Sequence, residues 1–540
     1  MSRALLCALL VAGGALDAAA QAPPPGPTGS AGFAAATRAA DPWFRAGREA
    51  VAEARARSKS GGRANNVILF VGDGMSPTTV TAARIRAGQL AGASGEENLL
   101  SFEKLPVLAL SKTYNTDAQV PDSAGTMTAM VSGVKTKAGV LGLSDLSRIG
   151  DASTVAASRV PTLFEEAEQR GLATGIVTTT RVTHATPGAC YAHVPERDWE
   201  SDADLPSAAR ASGVPDIARQ LVEFEAGDGI EVVLGGGRAQ FLPATQPDPE
   251  EPGQLGARRD GRDLLAEWRK RNPRGAFVWS RAQLEALDLA QTPRLLGLFE
   301  PSHMEFEHDR PADRGGEPSL TEMTTAALRV LSRSPRGFVL MVEGGRIDHA
   351  HHANNAFRAL GETIELARAV EAALALTERE ETLVIVTVDH GYIFTLAGYP
   401  KRGNPILGLV VPPGREAPLN DATGQPYTSL QYAAGPGNSG KSDAQPAGPK
   451  HFPHQPERFS PASGRPDLSA VDTTAPDHLQ EALVPMPSGT HSGEDVAIYA
   501  GGPGAELFQG VQEQHFVYHA IADALGWTTD VPAPAPASQR

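Results

Sequence analysis

A chain of 540 residues, 41% hydrophobic and 21% charged, is long enough for two to four domain-sized units and has the apolar content of a soluble globular protein. Its net charge of -15 argues against nucleic acid or an anionic membrane surface as partner. Any phosphate site must then rest on concentrated local positive charge, from metals or one or two arginines. Of the two cysteines, Cys7 lies in an apolar leader, so Cys190 would stand alone in the mature chain. An exported protein without disulfides is held by its core, by metals or by a partner subunit.

Residues 1–20 have the layout of a secretory signal: Arg3, an apolar run from Ala4 to Leu16, and small residues at Ala18 to Ala20 for cleavage. The run is too short for a membrane anchor, and no other stretch reaches spanning length. The expected location is secreted or periplasmic. Residues 21–40 are Pro/Gly/Ala-rich and are expected to form a flexible linker. Asp41 as cap and Pro42 at the first helical position predict a helix to about Arg57, within an arm spanning 41–62. Its apolar residues are too few for a core helix, so it is expected to lie against something else.

A first core segment is assigned to 63–398. Buried-strand runs start at Asn66, Thr174, Ile230, Gly337 and Thr382, with helical stretches between most of them, as at 160–170, 217–225, 320–331 and 356–377. This alternation predicts an α/β fold: a central, mainly parallel sheet flanked by helices on both faces. Residues 399–488 turn loop-rich, with Gly, Pro, Ser and Asp dominant, and are read as an insertion. The α/β pattern resumes over 489–527 with a strand at 495–500 and a last helix from about Glu513 to Leu525. Residues 528–540 are expected to be a disordered tail without a lipid-anchor signal.

Polar residues fall where strands end. Asp73 follows the first run, Arg181, His184 and Thr186 the second, Glu343 and Asp348 the fourth, and Asp389-His390 the fifth. In an open α/β sheet the carboxyl ends of the strands share one edge, where ligands bind. Asp348 and His352 stand four apart and face the same way on a helix, as two ligands of one metal would. His349 and His351 are read as solvated surface residues, as are His451 and His454. Asp389-His390 ends the most apolar strand, where an acid and an imidazole are either paired or metal-bound. Mixed imidazole and carboxylate sets suit zinc. An all-oxygen set from Asp73, Thr186 and Glu343 suits magnesium. Two zinc ions roughly 4 Å apart would clamp the attacking and leaving oxygens of a phosphoryl transfer.

Pro121-Asp122-Ser123-Ala124-Gly125 runs directly into a helical stretch, which puts the Ser123 hydroxyl at a helix start. Taken alone, Ser123 would be an N-cap. Arg197 can fork two phosphate oxygens, or be an ordinary surface arginine.

With these segments, and with 178–187, Tyr191-Ala192-His193 and 490–496, the chain resembles the alkaline phosphatases, closer to the animal type than to the enterobacterial one. The resemblance implies hydrolysis of phosphate monoesters through a phosphoserine, with Ser123 as nucleophile and Arg197 as phosphate clamp. It implies two zinc ions per subunit, one on Asp348, His352 and His491 and one on Asp73, Asp389 and His390. One magnesium ion falls to Asp73, Thr186 and Glu343. His184 resembles the animal histidine beside the magnesium, and Asp122 and His349 stand in supporting positions. The 399–488 insertion resembles a crown domain, whose Tyr399 would approach the partner's active site in a homodimer embraced by the 41–57 helix. A calcium site is matched by Glu250, the Phe299 carbonyl and Glu300, with Glu317 where an aspartate is usual. Missing animal cysteines and anchor tail fit a bacterial exported enzyme. The rival readings are a phosphodiesterase or sulfatase of the same superfamily, or a catalytically dead phosphate- or metal-binding protein.

Overall fold

The computed structural model describes residues 41–57 and 62–527. The expected signal, linker and tail lie outside the described residues. A 10-stranded sheet forms the centre. In chain order its strands are β1 (Asn66–Gly72), β2 (Val107–Lys112), β3 (Ala173–Arg181), β4 (Val232–Gly236), β5 (Ala276–Val278), β6 (Leu295–Leu298), β7 (Phe338–Gly344), β8 (Thr382–Val388), β9 (Val496–Gly501) and β10 (Val511–Glu513). The spatial order is β10-β2-β9-β8-β1-β7-β3-β4-β6-β5. From β8 to β5 every neighbouring pair is parallel, whereas β9 runs antiparallel to both β8 and β2.

The apolar runs of the sequence are strands buried on both faces, and their two-residue period sorts them into two cores. Val67, Leu69 and Val71 of β1 face one core with Met127, Met130 and Phe516. Ile68 and Phe70 face the other, with Met323, Leu360 and Val370. Each such side chain contributes about 1.5–3 kcal/mol of burial. The helices supplying these layers include Ser123–Ser132 and Phe516–Ala524 on the first face, and Leu320–Leu331 and Ala356–Leu376 on the second. No described helix is long and apolar enough to cross a membrane.

The first helix, Pro42–Arg57, differs from the expectation that it stands outside the core. Phe44 and Val51 are buried in the first core, and the Phe44 ring lies 4.7 Å from that of His519. Ala50 packs against the same core and the Trp43 ring meets that of His515 at 5.8 Å, while Arg45, Glu49 and Arg55 are exposed, Arg55 pairing with Asp523. The loop-rich stretch contributes to a three-stranded sheet of Phe394–Leu396, Leu430–Gly435 and Ala482–Pro485, so this sheet begins a few residues before 399.

Candidate active site

Strands β8, β1, β7 and β3 are consecutive in the sheet, so their carboxyl ends abut. Gly72 is in register with both Gly344 and Val388, and Thr178 with Glu343. Asp73, Glu343 and Asp389-His390 therefore leave neighbouring strands at one level. Gly74 turns the chain at φ 65°, and a Cβ there would come within 3.1 Å of Asp348 Oδ1.

Ser123 is the first residue of its helix, but it is not the cap. Asp122 is, accepting the Gly125 N–H through Oδ1 at 3.1 Å. Asp122 Oδ2 accepts from Gly139 N and from Arg197 Nη1. The buried Ser123 hydroxyl is thus released from capping and lies 3.2 Å from His390 Nε2. Gly125 is required behind it, since a Cβ would sit 2.1 Å from Asn115 Nδ2, the amide whose oxygen accepts the Asp122 N–H.

His390 Nε2 stands 3.4 Å from Asp73 Oδ1 and 3.2 Å from Asp389 Oδ2. Beside this set, Asp348 lies 3.1 Å from His352 Nε2 and 3.5 Å from His491 Nε2, and the two imidazole Nε2 atoms are 3.4 Å apart. The His390 and His491 rings stack with centroids 3.6 Å apart, joining the two sets. Each imidazole is turned by a carbonyl acting on its other nitrogen. His352 Nδ1 donates to Gly489 O, His491 Nδ1 to Pro121 O, and His390 Nδ1 to Gly391 O. The Nε2 lone pairs are left facing the carboxylates, which is how metal-binding imidazoles are oriented. Burial holds the His390 and His491 imidazoles down to about 4, so both are neutral at pH 7. Burial raises the Asp73 carboxyl well above its usual range, and Asp389 beside it adds to the shift. Asp389 is itself pushed up to about 6, chiefly by burial. Asp348 is held low, because His352 and His491 outweigh its burial.

Behind Asp73 lies an oxygen-rich set. Glu343 Oε2 accepts from the Thr178 and Thr180 hydroxyls. Burial raises Glu343 to about 7 against the opposing pull of the Thr178 and Thr180 hydroxyls. Both Asp73 carboxylate oxygens, Glu343 Oε1, Asp389 Oδ2, Asp348 Oδ1 and the Thr186 hydroxyl are buried without hydrogen-bond partners. Orphaned buried carboxylates are strongly unfavourable unless a cation satisfies them, so these donor sets fit metal ions. Ligand atoms of Asp73, Asp389 and His390, of Asp348, His390 and His491, and of Asp73, His184 and Glu343 each converge within 4.8 Å.

Arg197 Nη2 donates to His184 Nε2 at 3.0 Å, which fixes the His184 proton on Nδ1. His349, read from the sequence as solvated, is half-buried; its Nδ1 accepts from Arg346 Nη1. His351 is fully buried, not solvated, because its ring stacks on Tyr392 and bonds to Thr79 and Tyr432. His454 is likewise buried, between Ser442 and the Pro436 carbonyl, while His451 is exposed.

His303 was missed in the sequence. It lies 4.3 Å from the His349 ring and 5.3 Å from that of His184. Its position just beyond the carboxyl end of β6 was the available signal. Tyr392, whose hydroxyl meets His352 Nδ1 at 2.7 Å, carried none. Tyr399 is 89% exposed, in left-handed backbone at φ 58°.

Away from the rim, Glu250, Glu300 and Asp313 bring carboxylate oxygens within 4.8 Å of one another. Asp313 was absent from the sequence reading. Glu317 lies outside that trio: its Oε2 accepts from Glu305 N, although its other oxygen is buried and unpartnered. The buried Arg238 guanidinium holds Glu250 Oε2 at 2.7 Å and leaves Oε1 without a partner. Phe299 is buried beside Glu300 at the end of β6.

Residues 64–527 match the family model described as alkaline phosphatase. The tissue-nonspecific alkaline phosphatase of Gallus gallus is 46% identical over 469 residues, covering 85% of this chain and 84% of the relative. Among solved structures, Thermus thermophilus alkaline phosphatase is 27% identical with a TM-score of 0.61, covering 87% of this chain and 93% of that one. The alkaline phosphatase of the Antarctic bacterium TAB5, at 22% identity and a TM-score of 0.56 over 86% of this chain and 99% of that one, shares the fold. A variant of the TAB5 enzyme was solved with Mg bound in its M3 site.

Proposed function

As the chain belongs to the alkaline phosphatase family and is a hydrolase of phosphate monoesters, we propose that it works through a phosphoserine on Ser123. The observation that carries this reading is the uncapped Ser123 hydroxyl at a helix start, 3.2 Å from His390 Nε2 among orphaned carboxylates. In the first step the Oγ–P bond forms as the ester P–O bond breaks. The Ser123 hydroxyl proton passes to solvent, and the departing alkoxide takes a proton from solvent to leave as the alcohol. Water then attacks phosphorus, the Oγ–P bond breaks as Ser123 Oγ regains a proton from the attacking water, and inorganic phosphate is released. The positive end of the 123–132 helix favours the alkoxide and the phosphorylated oxygen. Arg197 is the phosphate clamp: Asp122 and His184 each take one N–H from its two terminal nitrogens, leaving one on each for phosphate oxygens.

Asp348, His352 and His491 would hold one zinc, and Asp73, Asp389 and His390 the other. Asp73, Thr186 and Glu343 would hold magnesium, with His184 close by. When bound, these ions supply Lewis-acid stabilisation to the attacking and leaving oxygens. Calcium falls to Glu250, Glu300 and Asp313, with the Phe299 carbonyl and Glu317 alongside. The chain is exported after cleavage near Ala20 and acts as a homodimer, with 42–57 as an arm and 399–488 as a crown. A monomeric mass by light scattering, with full activity, would refute the dimer.

The reading is tested by turnover of a chromogenic phosphate monoester against the matching diester and sulfate ester, with zinc and magnesium supplied. The monoester should be strongly preferred. Preference for the diester or the sulfate ester would refute it.

A further inference from the structure

We propose a divalent-cation site formed by Glu168, Asp228 and Glu231, at the amino edge of the sheet, opposite the catalytic rim. Their carboxylate oxygens lie within 4.8 Å of one another. Glu231 directly precedes β4, and Glu168 sits in the last turn of the helix Leu163–Gln169. One atom points to a ligand. Glu168 is 2% exposed, and its Oε2 has no hydrogen-bond partner. A dry carboxylate oxygen without a partner is strongly unfavourable, so it calls for a cation or a proton.

The direction of that oxygen is fixed by its surroundings. Thr174 Oγ1 donates to Glu168 Oε1 at 2.6 Å, and Thr174 N donates to Glu231 Oε2 at 2.7 Å. Glu168 Oε2 faces the turn carrying Asp228: a Cβ on Gly227 would lie 2.7 Å from it. Donors that hold the outer oxygens and present the inner ones are the usual second layer of a metal site. Arg294 supplies one positive charge, 3.3 Å from Asp228 and 3.9 Å from Glu231. With all three carboxylates ionised, one guanidinium leaves two negative charges, which one divalent cation would balance. Burial, and then the neighbouring Glu231, push the Glu168 carboxyl up to about 9, so at neutral pH it takes a proton when no cation is bound.

The donors are all hard oxygens, and Asp228, with 85% of its side chain exposed, opens the site to water. That combination suits calcium, which takes six to eight oxygens in flexible geometry, better than magnesium, which demands a strict octahedron. The ion would pin the 163–169 helix to the starts of β3 and β4, so its role is stability and not chemistry.

The test is equilibrium dialysis of the full-length zinc- and magnesium-loaded enzyme against radioactive calcium. The Asp228→Asn, Glu231→Gln variant should bind one calcium fewer per subunit than wild type while hydrolysis is unchanged. A Glu250→Gln, Glu300→Gln variant should keep this ion. Should Glu231→Gln prevent folding, Asp228→Asn alone, altering an exposed side chain, should weaken calcium binding about tenfold. Equal calcium stoichiometry and affinity in wild type and Asp228→Asn would overturn the proposal, as would a crystal grown in calcium with a proton shared between Glu168 and Glu231 and no ion.

Discussion

The strand-end rim around Asp73 and the loop cluster around Glu250 both bury carboxylates that lack partners, yet they are assembled differently. At the rim, four adjacent parallel strands end together, and three imidazoles are turned inward by main-chain carbonyls. Around Glu250 the donors are oxygens only, held from outside by Arg238. The first arrangement suits borderline ions that polarise reacting oxygens, and the second a hard ion that ties loops together. Loss of the first should therefore remove chemistry, and loss of the second should remove stability.

The largest effect is expected at Ser123. Ser123→Ala should lower kcat/KM by about 10⁴-fold with little change in melting temperature, because the cap is Asp122 and not the serine. Steady-state kinetics beside a thermal scan would show it, and substantial remaining turnover would break the contrast. Arg197→Ala should cost about 10²-fold in kcat/KM, or ~3 kcal/mol, for the lost charge-assisted bonds to phosphate. Inhibition by inorganic phosphate should weaken in parallel.

At the Glu250 cluster the expected effects are thermal. Calcium near 100 times its Kd should raise the melting temperature by about 3 °C. Glu250→Gln, Glu300→Gln should abolish that rise and keep near-normal turnover. The smallest effect is a slope with pH. Burial, then Glu250, raises the Glu300 carboxyl from 4.5 to about 9, so the folded protein binds more protons than the unfolded chain between those values. Stability of calcium-free enzyme is therefore full below about 4.5 and declines as pH rises toward 9. Melting scans should show a shallower decline in Glu300→Gln.

The strands β1, β3, β4, β7, β8 and β9 were legible in the sequence because their interiors are buried on both faces and dominated by apolar residues, with polar side chains such as Arg181 and Glu343 only near their ends. β2 was not, because its apolar run is only the four residues Val107–Leu110, too short to tell a strand from a piece of helix. The three-residue strands β5 and β10 are too short to carry a period. Asp73, Glu343 and Asp389-His390 were legible as polar side chains closing apolar strands, whereas His491, which precedes a strand, drew attention only through the resemblance. Asp313 was not, since it lies on an irregular loop where acids are common, and Glu317 drew attention only through the resemblance. His351 was misread because a histidine on a polar-looking helix gives no sign of the Tyr392 and Tyr432 rings that bury it. Such partners come from residues far along the chain, and local pattern cannot supply them.

The most direct measurement is phosphate trapping on the enzyme. Incubation with radiolabelled inorganic phosphate at mildly acidic pH, followed by quenching and peptide mapping, should put the label on Ser123 and nowhere else. Label on another residue, or full turnover with no labelled serine, would contradict the account.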